Sequence, residues 1–192
     1  MIKGGKKVSK RIYLLRHAKS DWMDMALSDH KRPLNERGEK AADLVGCKLA
    51  LKGFSPDLVY CSTAKRAVET LERVMTSGGF NWHVEHRGSL YGASADTLLT
   101  FIHQADPACD ALLFVGHNPG FQDLALALAA EEKCDNGKLK KLRKKFPTGA
   151  FLCLEFDVDT FPQIAVGGGI LKCFMRPKYE FLQYRVVCFS RV

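Results

Sequence analysis

What these 192 residues lack narrows their chemistry before any motif is read. The seven cysteines are an odd number, and no two of them form a C-x-x-C pair. That argues against a zinc cage or a disulfide framework and for the reduced thiols of a cytoplasmic protein. No apolar run approaches the roughly 18 to 20 residues that span a bilayer, so no membrane role is expected. The basic N-terminus leads into a short strand-like segment without the apolar core and small-residue cleavage site of a signal peptide. Neither an internal repeat nor a low-complexity linker divides the chain, and its length suits one domain with a full core. The expected division is a flexible basic N-terminus at 1–9, one domain at 10–178 and a tail at 179–192 of no assignable structure.

The formal net charge of +8 permits nucleic-acid binding or the handling of small anions. Part of the excess lies in Lys138–Lys145, where Leu139 and Leu142 stand three apart among six cations. One side of such a helix docks and the rest is solvated. No aromatic residues interleave with these cations, which argues against a nucleic-acid partner.

Strand and helix patterns alternate along the chain. Ile12 to Leu15 form the apolar run of a strand covered on both faces. A helix is expected from Glu36 to Leu51, with apolar residues at helical spacing and Gly53 as a stop. Pro56–Cys61 reads as a strand, and Thr63–Ser77 as a helix ended by Gly78-Gly79. Trp82–His86 is a third strand, and Ser94 caps a helix to about Gln104. Ala111–Val115 is another buried strand. Asn118-Pro119 reads as a cap and first-turn proline opening a helix to about Ala130. Strands at Ala150–Phe156 and about Ile164–Phe174 close the domain, with Gly167–Gly169 as a bulge in the second. The expected fold is α/β, a three-layer α/β/α sandwich on a mostly parallel sheet with an antiparallel edge.

Three polar features fall just past predicted strand ends, where open α/β sheets place their ligands. They are Arg16-His17, the segment Cys61-Ser-Thr-Ala-Lys-Arg66, and Gly116-His117-Asn-Pro-Gly120, whose helix start offers backbone N–H groups to an anion. Two arginines, two histidines and a helix N-terminus meeting at one spot describe a phosphate pocket. Guanidinium forks grip phosphate oxygens, and imidazole is a nitrogen nucleophile near neutral pH. Each piece alone also has a structural explanation; Arg66, for example, could pair with Glu69 on its own helix.

With these residues in view, the chain resembles the histidine phosphatase superfamily, the group typified by cofactor-dependent phosphoglycerate mutases. Within it, the chain is similar to the small SixA-type phosphohistidine phosphatases. The Arg-His-Gly motif appears as Arg16-His17-Ala18, with alanine at the glycine position. Ser62, Arg66, Ala67 and Thr70 match Ser-x-x-x-Arg-Ala-x-x-Thr, and Gly116–Gly120 matches the second-histidine motif. Ser28-Asp29 through Arg32-Pro33-Leu34 and Gly38, Leu90-Tyr91-Gly92, and Lys145–Thr148 fit the same subgroup, over about residues 10 to 178. The resemblance implies a phosphoglycerate mutase-like domain lacking a long lid insertion, with His17 taking the phosphoryl group. Arg16 and Arg66 would clamp the phosphate, and His117 would complete the pocket. Arg32, Ser20 and Asn118 are further substrate-binding candidates.

No cofactor or metal is implied, because arginines supply the positive charge. Members with a lid carry a carboxylate acid there. The stretch Arg87–Ser94 holds no Asp or Glu, and Asp29 is the best substitute, ahead of Asp21 and Asp24. A short lid and an easily expelled imidazole favour phosphohistidine on a protein as substrate. A small phosphomonoester is the alternative, and a phosphoprotein-binding module without turnover is the non-enzymatic one.

Rival motifs fit less well. Cys61-x4-Arg66 is one residue short of the thiol phosphatases' Cys-x5-Arg loop. In Asp157-Val-Asp159-Thr160 the threonine comes one place early for an aspartyl-phosphate phosphatase. His83 and His86 lie three apart on a strand and face opposite sides, a poor metal pair.

Overall fold

Strand β1 (Lys10–Arg16) runs through the middle of a six-stranded sheet, and its side chains divide the core in two. The computed structural model describes residues 9–177. The expected tail at 179–192 and all but Ser9 of the expected N-terminal arm therefore lie outside the described residues. The other strands are β2 (Leu58–Ser62), β3 (Val84–Arg87), β4 (Ala111–Gly116), β5 (Phe151–Phe156) and β6 (Ile170–Met175). Their order across the sheet is β3-β2-β4-β1-β5-β6. The first four pair in parallel, while β5 is antiparallel to β1 and β6 to β5, which gives the antiparallel edge.

Ile12 and Leu14 point into one apolar cluster and Tyr13 and Leu15 into the other, all fully or almost fully buried. Strand β4 repeats the pattern, with Leu112 and Phe114 on the first side and Leu113 and Val115 on the second. Helices α1 (Glu36–Leu51) and α2 (Lys65–Gly78) cover the second face. Helices α3 (Ala95–His103), α4 (Gly120–Leu128) and α5 (Asn136–Lys144) cover the first. The result is the expected three-layer sandwich, and parallel strands covered on both faces read as unbroken apolar runs for this reason.

Local chemistry sets the helix ends. The Asn35 side chain accepts from Gly38 N–H at the start of α1, and Ser94 from Thr97 N–H at the start of α3. Helix α2 stops at Gly79, whose φ of +67° is the left-handed turn that glycine adopts without cost. Helix α5 docks through buried Leu139 and Leu142 and leaves Lys140, Lys141 and Lys144 to solvent, while Lys138 donates to the Lys172 carbonyl. No helix among the described residues is long and apolar enough to cross a membrane.

Two local expectations are corrected. Helix α4 begins at Gly120 with Pro119 as its cap, and Asn118 caps nothing: its amide donates to Gln122 Oε1 and the Phe146 carbonyl. The glycine run is a turn before β6, with Gly167 at φ +71°, and the register shift lies between Cys153 and Leu154 on β5.

Candidate active site

The parallel register of β1 and β4 sets Arg16 against Gly116, and His17 N–H donates to Gly116 O at 2.9 Å. His17 and His117 thus leave adjacent strand ends side by side, with ring centroids 5.1 Å apart. Strand β2, on the other side of β4, ends at Ser62 and turns into α2. Arg66, on the first turn of α2, is buried and points back across both histidines. One helical turn on, Thr70 Oγ1 donates to Arg66 O and accepts the Ala18 N–H at 2.9 Å. That hydroxyl ties the arginine-bearing turn to the loop after β1.

Hydrogen bonds assign the protons. His17 Nδ1 lies 2.7 Å from Ala18 O, and a carbonyl only accepts, so Nδ1 carries the hydrogen. The lone pair is then on Nε2, where Arg66 Nε–H donates to it at 3.3 Å. His117 follows the same logic. Arg66 Nη2 donates to its Nδ1 at 3.4 Å, which leaves Nε2–H to donate to Ser62 Oγ at 2.8 Å. Burial and the neighbouring charges of Arg66 and Arg16 push His17 down to about 4. Burial, His17 and Arg66 push His117 down to about 3. Both imidazoles are neutral at pH 7, chiefly because burial disfavours their charged forms and further because guanidiniums stand beside them.

Asp29, on a short turn after the first loop, holds the other side of Arg66. Its backbone carbonyl accepts Arg66 Nη1 at 2.6 Å, and its Oδ2 accepts Nη2 at 2.9 Å. The Tyr91 hydroxyl donates to the same Oδ2 at 2.7 Å. The Tyr91 bond and Arg66 hold the carboxyl below the usual carboxylate range, so with these partners it is ionised at neutral pH. Arg16 donates from Nη1 to Phe146 O at 2.7 Å, while its buried Nε has no partner. These groups line a cleft of about 450 Å³ that opens to solvent, with Ser20, Trp22, Asn118 and Thr148 among its walls. Only residues 88–94 separate β3 from α3, so no long insertion between these two elements closes over it.

Of the residues singled out from sequence, Arg16, His17, Ser20, Asp29, Arg66, His117 and Asn118 line this cleft. Arg32 does not line it. Its guanidinium stacks 3.8 Å over the Trp22 ring, and Trp22 donates from Nε1 to Ser20 Oγ. Beyond Asn118 the start of α4 is not among the lining residues, and Gly120 packs so tightly on Ala93 that an added Cβ would lie 2.0 Å from the Ala93 carbonyl. Cys61 is fully buried, its thiol pushed up to about 12 by burial, so no thiolate is available there. Sequence reasoning gave no role to Tyr91, Lys19 or Trp22. Tyr91-Gly92 follows β3, the one parallel strand end left without an assigned group, and that position was the available signal.

Similarity to known proteins agrees with this geometry. The sequence pattern of the histidine phosphatase superfamily (branch 1) matches residues 12–88. An uncharacterized protein of Mycobacterium tuberculosis is 36% identical over 140 residues, 73% of this chain and 85% of the relative. Among solved structures, the chain is similar to a protein provisionally assigned as the phosphohistidine phosphatase SixA of Nakamurella multipartitia. That match has 28% identity and a TM-score of 0.75, covering 88% of this chain and 97% of the other. A counterpart from Agrobacterium tumefaciens, with the same provisional assignment, gives 27% identity and a TM-score of 0.71 over 88% and 98%. The chain belongs to the histidine phosphatase superfamily and has its phosphoglycerate mutase-like fold.

Proposed function

We propose that this protein is a phosphatase that hydrolyses phosphohistidine on protein substrates through a phosphohistidine intermediate on its own His17. The observation that carries the reading is the His17 ring: a neutral imidazole with its Nε2 lone pair facing an arginine-walled cleft with only the short 88–94 connection beside it. That lone pair attacks phosphorus, the bond from phosphorus to the leaving nitrogen breaks, and the leaving imidazole takes a proton. Water then attacks phosphorylated His17, releasing inorganic phosphate and restoring the neutral ring. Arg16 and Arg66 bind the phosphoryl oxygens and stabilise their charge in the transition state, a role that needs no metal here. His117, whose Nδ1 carries a lone pair, takes a proton when a phosphate dianion arrives and donates to it.

Asp29 is the proton carrier. A dianion beside it and the diversion of Arg66 to phosphate both raise its pKa, which lets a group ionised at rest carry a proton in the loaded site. Similarity to the two SixA structures and the absence of a lid at 88–94 support a substrate presented on a protein surface. The test compares rates on a phosphohistidine peptide, a phosphoserine peptide, an aryl phosphate and small sugar phosphates, with acid quenching to trap phosphoenzyme. The phosphohistidine peptide should be turned over fastest. His17→Ala should abolish both turnover and the acid-labile phosphoenzyme, and Arg66→Ala should lower the rate by about 10² or more. A His17→Ala enzyme that still turns over would refute the mechanism, and faster sugar-phosphate hydrolysis would refute the substrate class.

A further inference from the structure

A second groove of about 610 Å³ opens beside the cleft and shares Arg16, Lys19 and Thr148 with it. Its charged lining is Arg16, Lys19, Arg37, Lys144, Lys145 and Arg176, and no carboxylate joins them. Among the described residues no acidic side chain pairs with Arg16, Lys19, Arg37, Lys144 or Lys145. The carboxylates of α1 are used elsewhere: Glu36 pairs with Lys40, while Glu39 and Asp43 pair with Arg73. Arg37 also stands in the first turn of α1, where the helix dipole disfavours a cation. Helix stability therefore does not explain it. Lys144 and Lys145 sit at the C-terminal end of α5, where the dipole does welcome them, yet they face the same groove as Arg37 from across the sheet's end.

We infer that this groove is a substrate-recognition subsite that binds an acidic polypeptide segment flanking the phosphorylated residue. The inference rests on the phosphatase reading and narrows its substrate class. Because Arg16 and Lys19 belong to both cavities, an anionic chain with its phosphoryl group at His17 runs into the groove without leaving the field of the cations. The groove has no aromatic side chain to stack a base, which favours a peptide over a nucleic acid. The chain's own segment 178–192 is no charge match either, since it carries three cations, Lys178, Arg185 and Arg191, against Glu180 alone.

The experiment compares two phosphohistidine peptides of equal length, one flanked by Asp and Glu and one by Asn and Gln, with an aryl phosphate as control. Wild-type enzyme should favour the acidic peptide about tenfold in kcat/KM, mostly through KM, with the preference fading as salt rises. The exposed-site variant Arg37→Gln/Lys144→Gln/Lys145→Gln should lose that preference and keep its aryl phosphate turnover. Reversal to Glu at the three positions should turn the preference toward a Lys-flanked peptide. Binding of the unphosphorylated acidic peptide, followed by fluorescence anisotropy, tests the groove independently of turnover: wild type should bind it and the triple Gln variant should not. No acidic preference in the wild type, or one that survives the triple substitution, would overturn the subsite. So would mixed-sequence RNA competing better than an acidic peptide of equal charge. Equally, a bisphosphorylated sugar that depends on the three cations when the peptide does not would overturn it. Loss of all turnover with intact, cation-dependent peptide binding would count against the phosphatase reading alone.

Discussion

The Arg66 guanidinium spends its donors on four acceptors: both histidine rings, the Asp29 carbonyl and the Asp29 carboxylate. A phosphate dianion competes for those donors, so loading the site must loosen the Arg66–Asp29 pair. A carboxylate released beside a dianion gains proton affinity, and this residue-scale exchange gives Asp29 its proposed part. Asp29→Asn tests it by leaving group. An alkoxide departs only with a proton, whereas a protonated imidazole leaves readily. The substitution should therefore slow alkyl phosphomonoesters about 10² and the phosphohistidine peptide less than tenfold, measured as the ratio of kcat values. Equal slowing would reduce Asp29 to a positioning residue for Arg66. Tyr91, whose hydroxyl bonds the same carboxylate oxygen, belongs to this exchange, and its place just past the end of β3 was the one sign of it in the sequence.

At the scale of elements, the site depends on how closely α1 and α2 pack, because α2 carries Arg66 and Thr70. Their contact runs through Gly46, where an added Cβ would lie 2.1 Å from Ser77 Oγ and 2.4 Å from the Val74 carbonyl. Backbone cannot yield as a flexible side chain does, so Gly46→Ala should force the helices apart. It is expected to cost about 1–3 kcal/mol in denaturant unfolding. Unchanged stability would show that the contact is slack. Most elements were readable because their periodicity and caps are local: α1 matches its expected bounds, and Ser94 and Gly79 act where their chemistry said they would. The misreadings have local causes too. Asn118 has the composition of a helix cap, but Gln122 and Phe146 claim its amide. Arg32, expected among the phosphate ligands, stacks on Trp22, a wall of the cleft, and does not itself line it.

For the whole molecule, two buried neutral histidines make stability depend on acid. Each has a folded-state pKa below the ordinary value of 6.5, about 4 for His17 and about 3 for His117. Above 6.5 neither the folded nor the unfolded chain is protonated at these rings, and the contribution to stability is complete. As pH falls from 6.5 toward 4, the unfolded chain binds protons that the folded one refuses, so stability is lost across that window. The loss from His17 alone is on the order of 3 kcal/mol. Denaturant midpoints measured between about pH 7 and pH 4.5 should fall, and a His17→Ala/His117→Ala double variant should show a smaller fall. An equal fall in both proteins would place the acid sensitivity elsewhere, among paired carboxylates such as Asp43.

The layered α/β class, the strand ends where polar residues collect, and the identities of Arg16, His17, Arg66 and His117 were all present in the linear chain. Burial patterns and helix caps act over a few residues, and a residue's chemistry travels with its name. The tautomers of the two imidazoles, the ionised state of Asp29, the entry of Tyr91 and the stacking of Arg32 on Trp22 took form only when distant segments met. The same holds for the cationic groove, which draws Arg37 from one end of the chain and Lys144 and Lys145 from the other. Protonation and electrostatic field depend on distances between side chains, and those distances come into being with the strand order β2-β4-β1.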